Sequence, residues 1–450
     1  MHEASSSVLR LAPSTGVSGS DGIQRRIRKD RPRIDKRGHK HRHRGSPDVV
    51  SCERRTMRFI GIDIAAEKHV VAVVGEDGGI QVKPTSFTED LDGYQKLFEL
   101  LGAAEGSLVA MEATGHYWQN LFAALVGSGF QVALLNPLRT RRFADADMPR
   151  AKTDAIDAVA IARFAREKRP AATPLPDEAT LELREAVRLR DRYVQDLGDR
   201  VRQLHRALDL TFPEFCRSVG KLDSELATAL LRECPTAAQF AKKSARKLAE
   251  IVYDGRHQVG DGLALELVRA AKISVGRHQG PMYRMQVEDA CEDIHTLRQR
   301  IRRLERDISD TLDKHQVGRL LTTIDGIGDT TAARLIAEFG DIAKFESGAA
   351  LGAYVGVVPL ISQSGKRQSQ RAPSCTLGDA RLRAKLWMPT LAAVRHNPWL
   401  AAFYGRLIAR GKLPKVALTA AMRKLLTAVY SVAKNRRPFI PMLPIATTTP

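Results

Sequence analysis

An aspartate stands inside the apolar run "FIGIDIA": Asp63 interrupts a stretch that otherwise reads as a buried strand. A carboxylate in a buried strand is costly unless it is paired, hydrogen-bonded or bound to a metal ion. The rest of the chain has to supply one of these. From Met57, "MRFIGIDIAAEKHVVAVVGEDGGIQVKPTSF" reads as three short strands, with "EDGG" as the turn between the second and third. A helix over about Leu91–Leu101 follows, then the buried strand "SLVAMEATG", which carries Glu112 at its end. A helix over 117–128, the strand "FQVALLNP" and a helix opened by Thr153 complete the unit. The order β-β-β-α-β-α-β-α predicts an α/β layer fold.

Two more acids lie in "RAKTDAIDAVAIARFA". Asp154 and Asp157 are three residues apart and share a helix face. One reading is a capped first turn, with Thr153 as N-cap and acids favoured by the helix dipole. The other is a shared divalent cation. If the first and fourth strands are neighbours, Asp63 and Glu112 meet, and a helix crossing their ends adds Asp154 and Asp157. Four carboxylates would form a hard-oxygen site for Mg²⁺ or Mn²⁺. Two such ions can activate a nucleophile and stabilise a leaving oxygen in phosphodiester chemistry.

The formal net charge of +20 on 450 residues points to a polyanionic partner, most often nucleic acid. The length predicts two or three domains. Cys52, Cys216, Cys234, Cys291 and Cys375 are scattered singly, which argues against zinc ribbons and a disulfide framework. The expected compartment is reduced and intracellular: cytoplasmic, associated with the nucleoid. With no run of about 18 apolar residues, no membrane partner is expected. Residues 1–56 carry Ser, Gly and Pro and then "QRRIRKDRPRIDKRGHKHRHRG", which predicts a disordered basic extension. It reads either as a nucleic-acid-binding arm or as an upstream extension of the reading frame before Met57.

The unit over 57–172 is followed by a charged helical region over 173–318. Val194, Leu197, Val201, Leu204 and Leu208 step by three and four, as do Val287, Ala290, Ile294, Leu297, Ile301, Leu304 and Ile308. These heptads predict an antiparallel helical hairpin or a dimerising coiled coil, with a shorter helical insert over 213–279. A third unit spans 319–440, before a tail over 441–450. Its "TTIDGIGDTTAARLIAEFG" looks like a helix-hairpin-helix, in which Gly326 and Gly328 let backbone N–H groups approach a phosphate. Plain helix packing is the alternative. A polar basic loop and an amphipathic last helix follow.

"IGIDIA", "MEATGHYW…VALLNP" and "KTDAIDAVAIA" resemble the RuvC-like DEDD domain of the insertion sequence 110 family of transposases, recombinases of the RNA-guided type. "IDGIGDTTAARLIAEFGD…YVGVVPLISQSGK…GDARLR…RHNPWLAAFYGRL…KVALTAAMRKLL" is similar to that family's second, transposase domain. The resemblance covers most of Met57 to Phe439. It implies an RNase H-like (RuvC-like) fold for 57–172, with Asp63, Glu112, Asp154 and Asp157 as catalytic, metal-binding acids for Mg²⁺ or Mn²⁺. Asp145 and Asp147 fall outside the motif. In the family's "P-x-x-x-x-S-G" segment, here "PLISQSG", it implies that Ser364 is the nucleophile. Residue type alone leaves Ser362, Ser369, Ser374 and Thr376 open. Lys366, Arg367 and Arg371 would steady phosphate charge. One departure is "SCTLGD", where the family usually has basic residues before "GD". The resemblance also implies DNA partners at the element's ends and target, a structured guide RNA, and dimers pairing into a tetramer.

The expected function is cutting and rejoining DNA strands as a transposase. Its rivals are a site-specific invertase of the same family, a RuvC-like junction nuclease, and a non-enzymatic nucleic-acid scaffold. A chain starting at Met57 is expected to fold and act like the full chain. Purification of soluble, DNA-active truncated protein checks this, and its loss contradicts it. A deficit confined to raised salt would mark the basic residues as a binding arm.

Overall fold

A row of small residues across a sheet decides how the first hundred residues after Met57 pack. The computed structural model describes residues 57–137, 140–141, 143, 153–358, 363–364, 367–368 and 378–441. The predicted basic extension over 1–56 lies outside them. Strands β1 (Arg58–Asp63), β2 (Lys68–Val74) and β3 (Ile80–Thr88) form an antiparallel meander. The "EDGG" turn holds because Gly78 adopts φ 88° and Asp77 accepts from the Gly79 N–H. Asp90 then caps α1 (Leu91–Leu101) by accepting from the Gly93 N–H. Strand β4 (Ser107–Glu112), helix α2 (Gln119–Gly127) and strand β5 (Gln131–Leu135) follow. The mixed sheet runs β3-β2-β1-β4-β5, with β4 parallel to β1 and to β5.

Side chains alternate between the faces of a strand. Ile60, Ile62, Val109 and Met111 point into one core with Leu97, Leu121 and Leu125 from α1 and α2. Gly61, Asp63, Ala110 and Glu112 therefore share the opposite face. There Ala72, Gly61, Ala110 and Ala133 stand side by side in register on β2, β1, β4 and β5. Helix α3 (Asp154–Lys168) lies against that row with its own Ala158, Ala162 and Ala165 buried. The approach is close enough that a Cβ on Gly61 would sit 2.2 Å from the Ala158 carbonyl oxygen and 2.4 Å from the Ala162 nitrogen.

The remaining described chain is almost wholly helical. Helices α4 (Glu178–Thr211) and α10 (Pro281–Lys314) run antiparallel, since Thr180 meets His315, Arg190 meets Glu305, and Arg200 meets Asp293. Most of the heptad apolar positions, among them Leu204, Leu208, Ile294 and Leu297, are buried, while Val194 is 38% exposed, and the hairpin arrangement forms within one chain. At one end the pair joins a core with five short helices: α5 (Phe215–Ser218), α6 (Glu225–Glu233), α7 (Ala237–Lys242), α8 (Ala245–Ala249) and α9 (Asp261–Lys272). Phe212, Phe215 and Phe240 centre it.

At the other end Leu183, Val187, Ile308 and Leu312 enter the carboxyl-terminal core. This contains α11 (Gly318–Leu321), α12 (Asp329–Phe339), α13 (Gly348–Val355), α14 (Ala380–His396), α15 (Pro398–Ala409) and α16 (Pro414–Asn435). Buried Arg334 of α12 grips Asp191 of α4 through two 2.7 Å bonds. This is the bidentate geometry that makes Arg a specific partner for a carboxylate. Between α13 and α14, β6 (Gln363–Ser364) pairs with β7 (Arg367–Gln368) as a separate two-stranded sheet. Helix α16 is long and apolar enough, by length and composition, to cross a membrane. Its apolar residues, among them Leu425, Leu426, Val429 and Val432, are instead core.

Gly61→Val should force α3 off the sheet and destabilise the protein by about 1–3 kcal/mol or more, the usual cost of overpacking. Gly405→Ala, in open space on α15, should instead be neutral or stabilising by up to about 1 kcal/mol. Urea denaturation of both variants distinguishes a packing glycine from an incidental one.

Candidate active site

Asp63 ends β1 and Glu112 ends β4. The parallel register pairs Ile62 with Met111, so the next residues on each strand, the two acids, leave the sheet side by side. Asp154 and Asp157 occupy the first turn of α3, directly over that strand end. The capped-turn reading of this helix is also realised, because Thr153 accepts from the Ile156 N–H at 3.3 Å. The cap fixes where the helix starts, and the start fixes where its acids stand. All four predicted acids are thus brought together from three elements.

Electrostatics register the convergence. Burial, and then the charges of Asp157, Asp154 and Glu112, push the Asp63 carboxyl up to about 6. One backbone hydrogen bond, from Ile64, works the other way. No ion pair to any of the four is present among the described residues. The Thr140 hydroxyl donates to Glu112 Oε1. All the donors are carboxylate oxygens, the chemistry that suits a hard divalent cation. Among the described residues, however, no three acids, histidines or cysteines already stand in a closed ligand set. The site is an open cluster of like charges rather than a preassembled cage.

A second polar network holds the chain around the cluster. His69, fully buried on β2, accepts from the Ala65 N–H at 3.2 Å through Nδ1. Its Nε2 lies 2.7 Å from Glu89 Oε2. Glu89 also accepts from the Tyr94 hydroxyl and from Asn120 Nδ2. Burial alone would raise the Glu89 carboxyl, but these three donors outweigh it and hold it below its ordinary value. One carboxylate therefore ties the turn after Asp63 to α1 and to the start of α2.

The other predicted residues are placed differently. Ser364 lies on β6, opposite Arg367 of β7, in a sheet separate from the one carrying the acids. Lys366 and Arg371 lie outside the described residues, as do Asp145, Asp147, Ser362, Ser369, Ser374 and Thr376. Gly326 and Gly328 part company. Gly326 has φ 97°, and a Cβ there would fall 2.5 Å from Ala393, so its small size serves helix packing against α14. Gly328 is exposed at the start of α12, with open space around its Cα. Asp329, in that first turn, is held by Arg319 and Ser309 and sets a negative charge where a phosphate would approach.

Residue-type reasoning missed Gly61, Thr140 and the His69–Glu89 network. Gly61 had a usable signal: a glycine between two isoleucines in a buried strand, matched by a run of alanines on the helix. The partners of Thr140 and His69 are 28 and 20 residues away, and no local pattern announces them.

Two family sequence models match this chain. One, described as "Transposase" and specific to DEDD transposases of the IS110 group, matches residues 60–213. The other, "Transposase IS116/IS110/IS902 family", matches residues 318–405. Similar proteins run nearly end to end with it. The 43.6 kDa protein of insertion element IS110 from Streptomyces coelicolor is 27% identical over 84% of this chain and 94% of its own length. The pilin gene-inverting protein of Moraxella bovis is 26% identical over 85% of this chain and 97% of its own. The 44.8 kDa protein of insertion element IS116 from Streptomyces clavuligerus is 25% identical over 87% and 98%. These matches identify a DNA transposase or recombinase. The chain belongs to the IS110 family of transposases. Its partner is DNA, and family membership implies use of a divalent metal ion.

The raised Asp63 value predicts a pH dependence. Its folded value, about 6, exceeds its ordinary value of 3.8, so protonated Asp63 favours the folded state. In chelator, that contribution should be fully present below about pH 4 and lost as pH rises through about 6. Asp63→Asn should remove this slope. The difference between native and variant urea midpoints from pH 4 to 8 measures it, and parallel curves would contradict it.

Proposed function

We propose that Asp63, Glu112, Asp154 and Asp157 bind Mg²⁺ or Mn²⁺ in an RNase H-like (RuvC-like) domain and serve strand cleavage and rejoining by an insertion-sequence transposase. The observation that carries this reading is the meeting of four carboxylates from β1, β4 and α3 without a countercharge among the described residues. Like charges held together without compensation are a standing cost, which a bound cation removes. When bound, the cation would supply charge stabilisation at the scissile phosphate. The protein's own contribution is to fix the two strand-end acids by the sheet register and the two helix acids by the Thr153 cap.

Ser364 is the proposed nucleophile. Attack of its hydroxyl oxygen on phosphorus forms a serine phosphodiester, breaks one strand bond and releases a strand hydroxyl. The proton leaves to a base, and a strand hydroxyl later reverses the exchange, so bond energy is conserved. Lys366, Arg367 and Arg371 would steady the phosphate, and Gly328 remains a backbone contact candidate. Gly326 is the weaker candidate, because it is packed against α14. By the family resemblance, Ser364 of one subunit would work with the acids of another, in dimers that pair into a tetramer. A structured RNA encoded with the element would choose the sites. The protein would work on the nucleoid in the cytoplasm. Inversion at a fixed pair of sites is the second reading, favoured by the similarity to the pilin gene-inverting protein.

Alanine at Asp63, Glu112, Asp154 or Asp157 should lower cleavage by about three orders of magnitude, the scale of several kcal/mol of lost charge stabilisation, while leaving the protein folded. Ser364→Ala should stop strand exchange with fold and DNA affinity intact. A nicked substrate that cannot religate should trap a denaturant-resistant adduct, which peptide mass spectrometry should place in "LISQSGK". Normal cleavage by Ser364→Ala, with no adduct in either protein, would favour water as nucleophile and a junction nuclease.

A further inference from the structure

The loop that leaves Glu112 carries an exposed aromatic pair with no structural task in the core. His116 and Tyr117 lie between Glu112 and α2, with ring centroids 4.3 Å apart. Tyr117 is 41% exposed, and Tyr354 is the only other exposed Phe, Tyr or Trp among the described residues. The pair is held in place. Gly115 turns the chain with φ 59°, and the Tyr117 ring lies over it. Trp118 donates through Nε1 to the Gly115 carbonyl and sets its ring edge-on against Phe122. The His116 carbonyl accepts from the Gln119 N–H, and Asn120 is tied to Glu89. A second apolar side chain is exposed at the acids themselves: Ile156, between Asp154 and Asp157, is 40% exposed.

Exposed rings fixed on the loop that leaves Glu112 are poorly matched to duplex DNA, whose outer surface is phosphate. They are well matched to a base that has left its stack. Stacking on aromatic side chains is the sequence-tolerant way proteins hold unpaired bases. Extruding a base from a duplex costs least where the pair is already broken. We infer that the His116–Tyr117 pair is a stacking platform for an unpaired DNA base on the strand that enters the acid cluster. This deepens the proposed strand-cleavage role and rests on it for the identity of the entering strand. The platform takes a base of any sequence, because every base offers a π-face. It therefore selects distorted or opened DNA over paired DNA and leaves site choice to other contacts.

The test uses the full chain and two 30-base-pair DNA duplexes of one sequence, one fully paired and one with a central two-base mismatch containing 2-aminopurine. Binding is read in chelator by anisotropy, and stacking by 2-aminopurine fluorescence. Native protein should prefer the mismatched duplex and change the 2-aminopurine signal. Tyr117→Ala should lose about ten-fold in affinity for the mismatched duplex, the scale of one lost base stack, with paired-duplex affinity unchanged. Tyr117→Phe should keep the preference. Equal losses on both duplexes, or no loss on either, would overturn the platform. So would a preference confined to the same mismatch in an RNA duplex. Asp157→Asn, measured alongside, separates the two proposals. If that variant still cleaves DNA while Tyr117→Ala loses the mismatch preference, the acid reading fails and the platform stands.

Discussion

Helix α3 can reach β1 only because residue 61 has no side chain. That contact carries the rest of the amino-terminal architecture. With Ala72, Ala110 and Ala133 in the same row, Gly61 lets a helix backbone lie against a sheet backbone. The helix then begins where its Thr153 cap dictates, and Asp154 and Asp157 come to stand over the ends of β1 and β4. Larger residues in the row would lift the helix and dissolve the cluster without touching an acid.

The cluster works against the stability that the packing provides. Core burial from Ile60, Ile62, Val109 and Met111 on the far face favours the sheet, while the near face gathers like charges. Burial first, and then the neighbouring acids, push the Asp63 carboxyl up to about 6. The His69–Glu89 network is its opposite: a buried polar group whose donors and acceptors are matched, anchoring the turn beyond Asp63. The site is thus a cluster of like charges, with no ion pair among the described residues, held by a hydrogen-bonded frame.

Much of this was legible in the chain. The strand and helix order of the first unit followed from period-2 runs, the "EDGG" turn and the caps, and the observed elements match it in order. Asp63 stood out because a lone acid in an apolar strand demands a partner. The heptads of α4 and α10 indicated two long helices, but periodicity cannot give their relative direction; the Arg190–Glu305 and Arg200–Asp293 pairs show them antiparallel within the chain. Gly326 shows the opposite limit. A glycine in a tight turn reads equally as phosphate approach or as helix contact, and the nearness of Ala393 adds a packing role that the sequence does not show. The small-residue row was invisible because its members are scattered over four strands and become neighbours only through the register. The last helix read as amphipathic because its four basic residues break the apolar run, and its apolar face fills the core.

On the proposed reading, packing at Gly61 assembles a cation-binding cluster before any DNA arrives. Titration of Mn²⁺ into the DNA-free protein, followed by the electron paramagnetic resonance of the free ion, tests it most directly. The expected result is saturable binding that weakens by an order of magnitude or more in Asp157→Asn, with the variant still folded. Binding unchanged in that variant, or no saturable binding to the native protein, would contradict it.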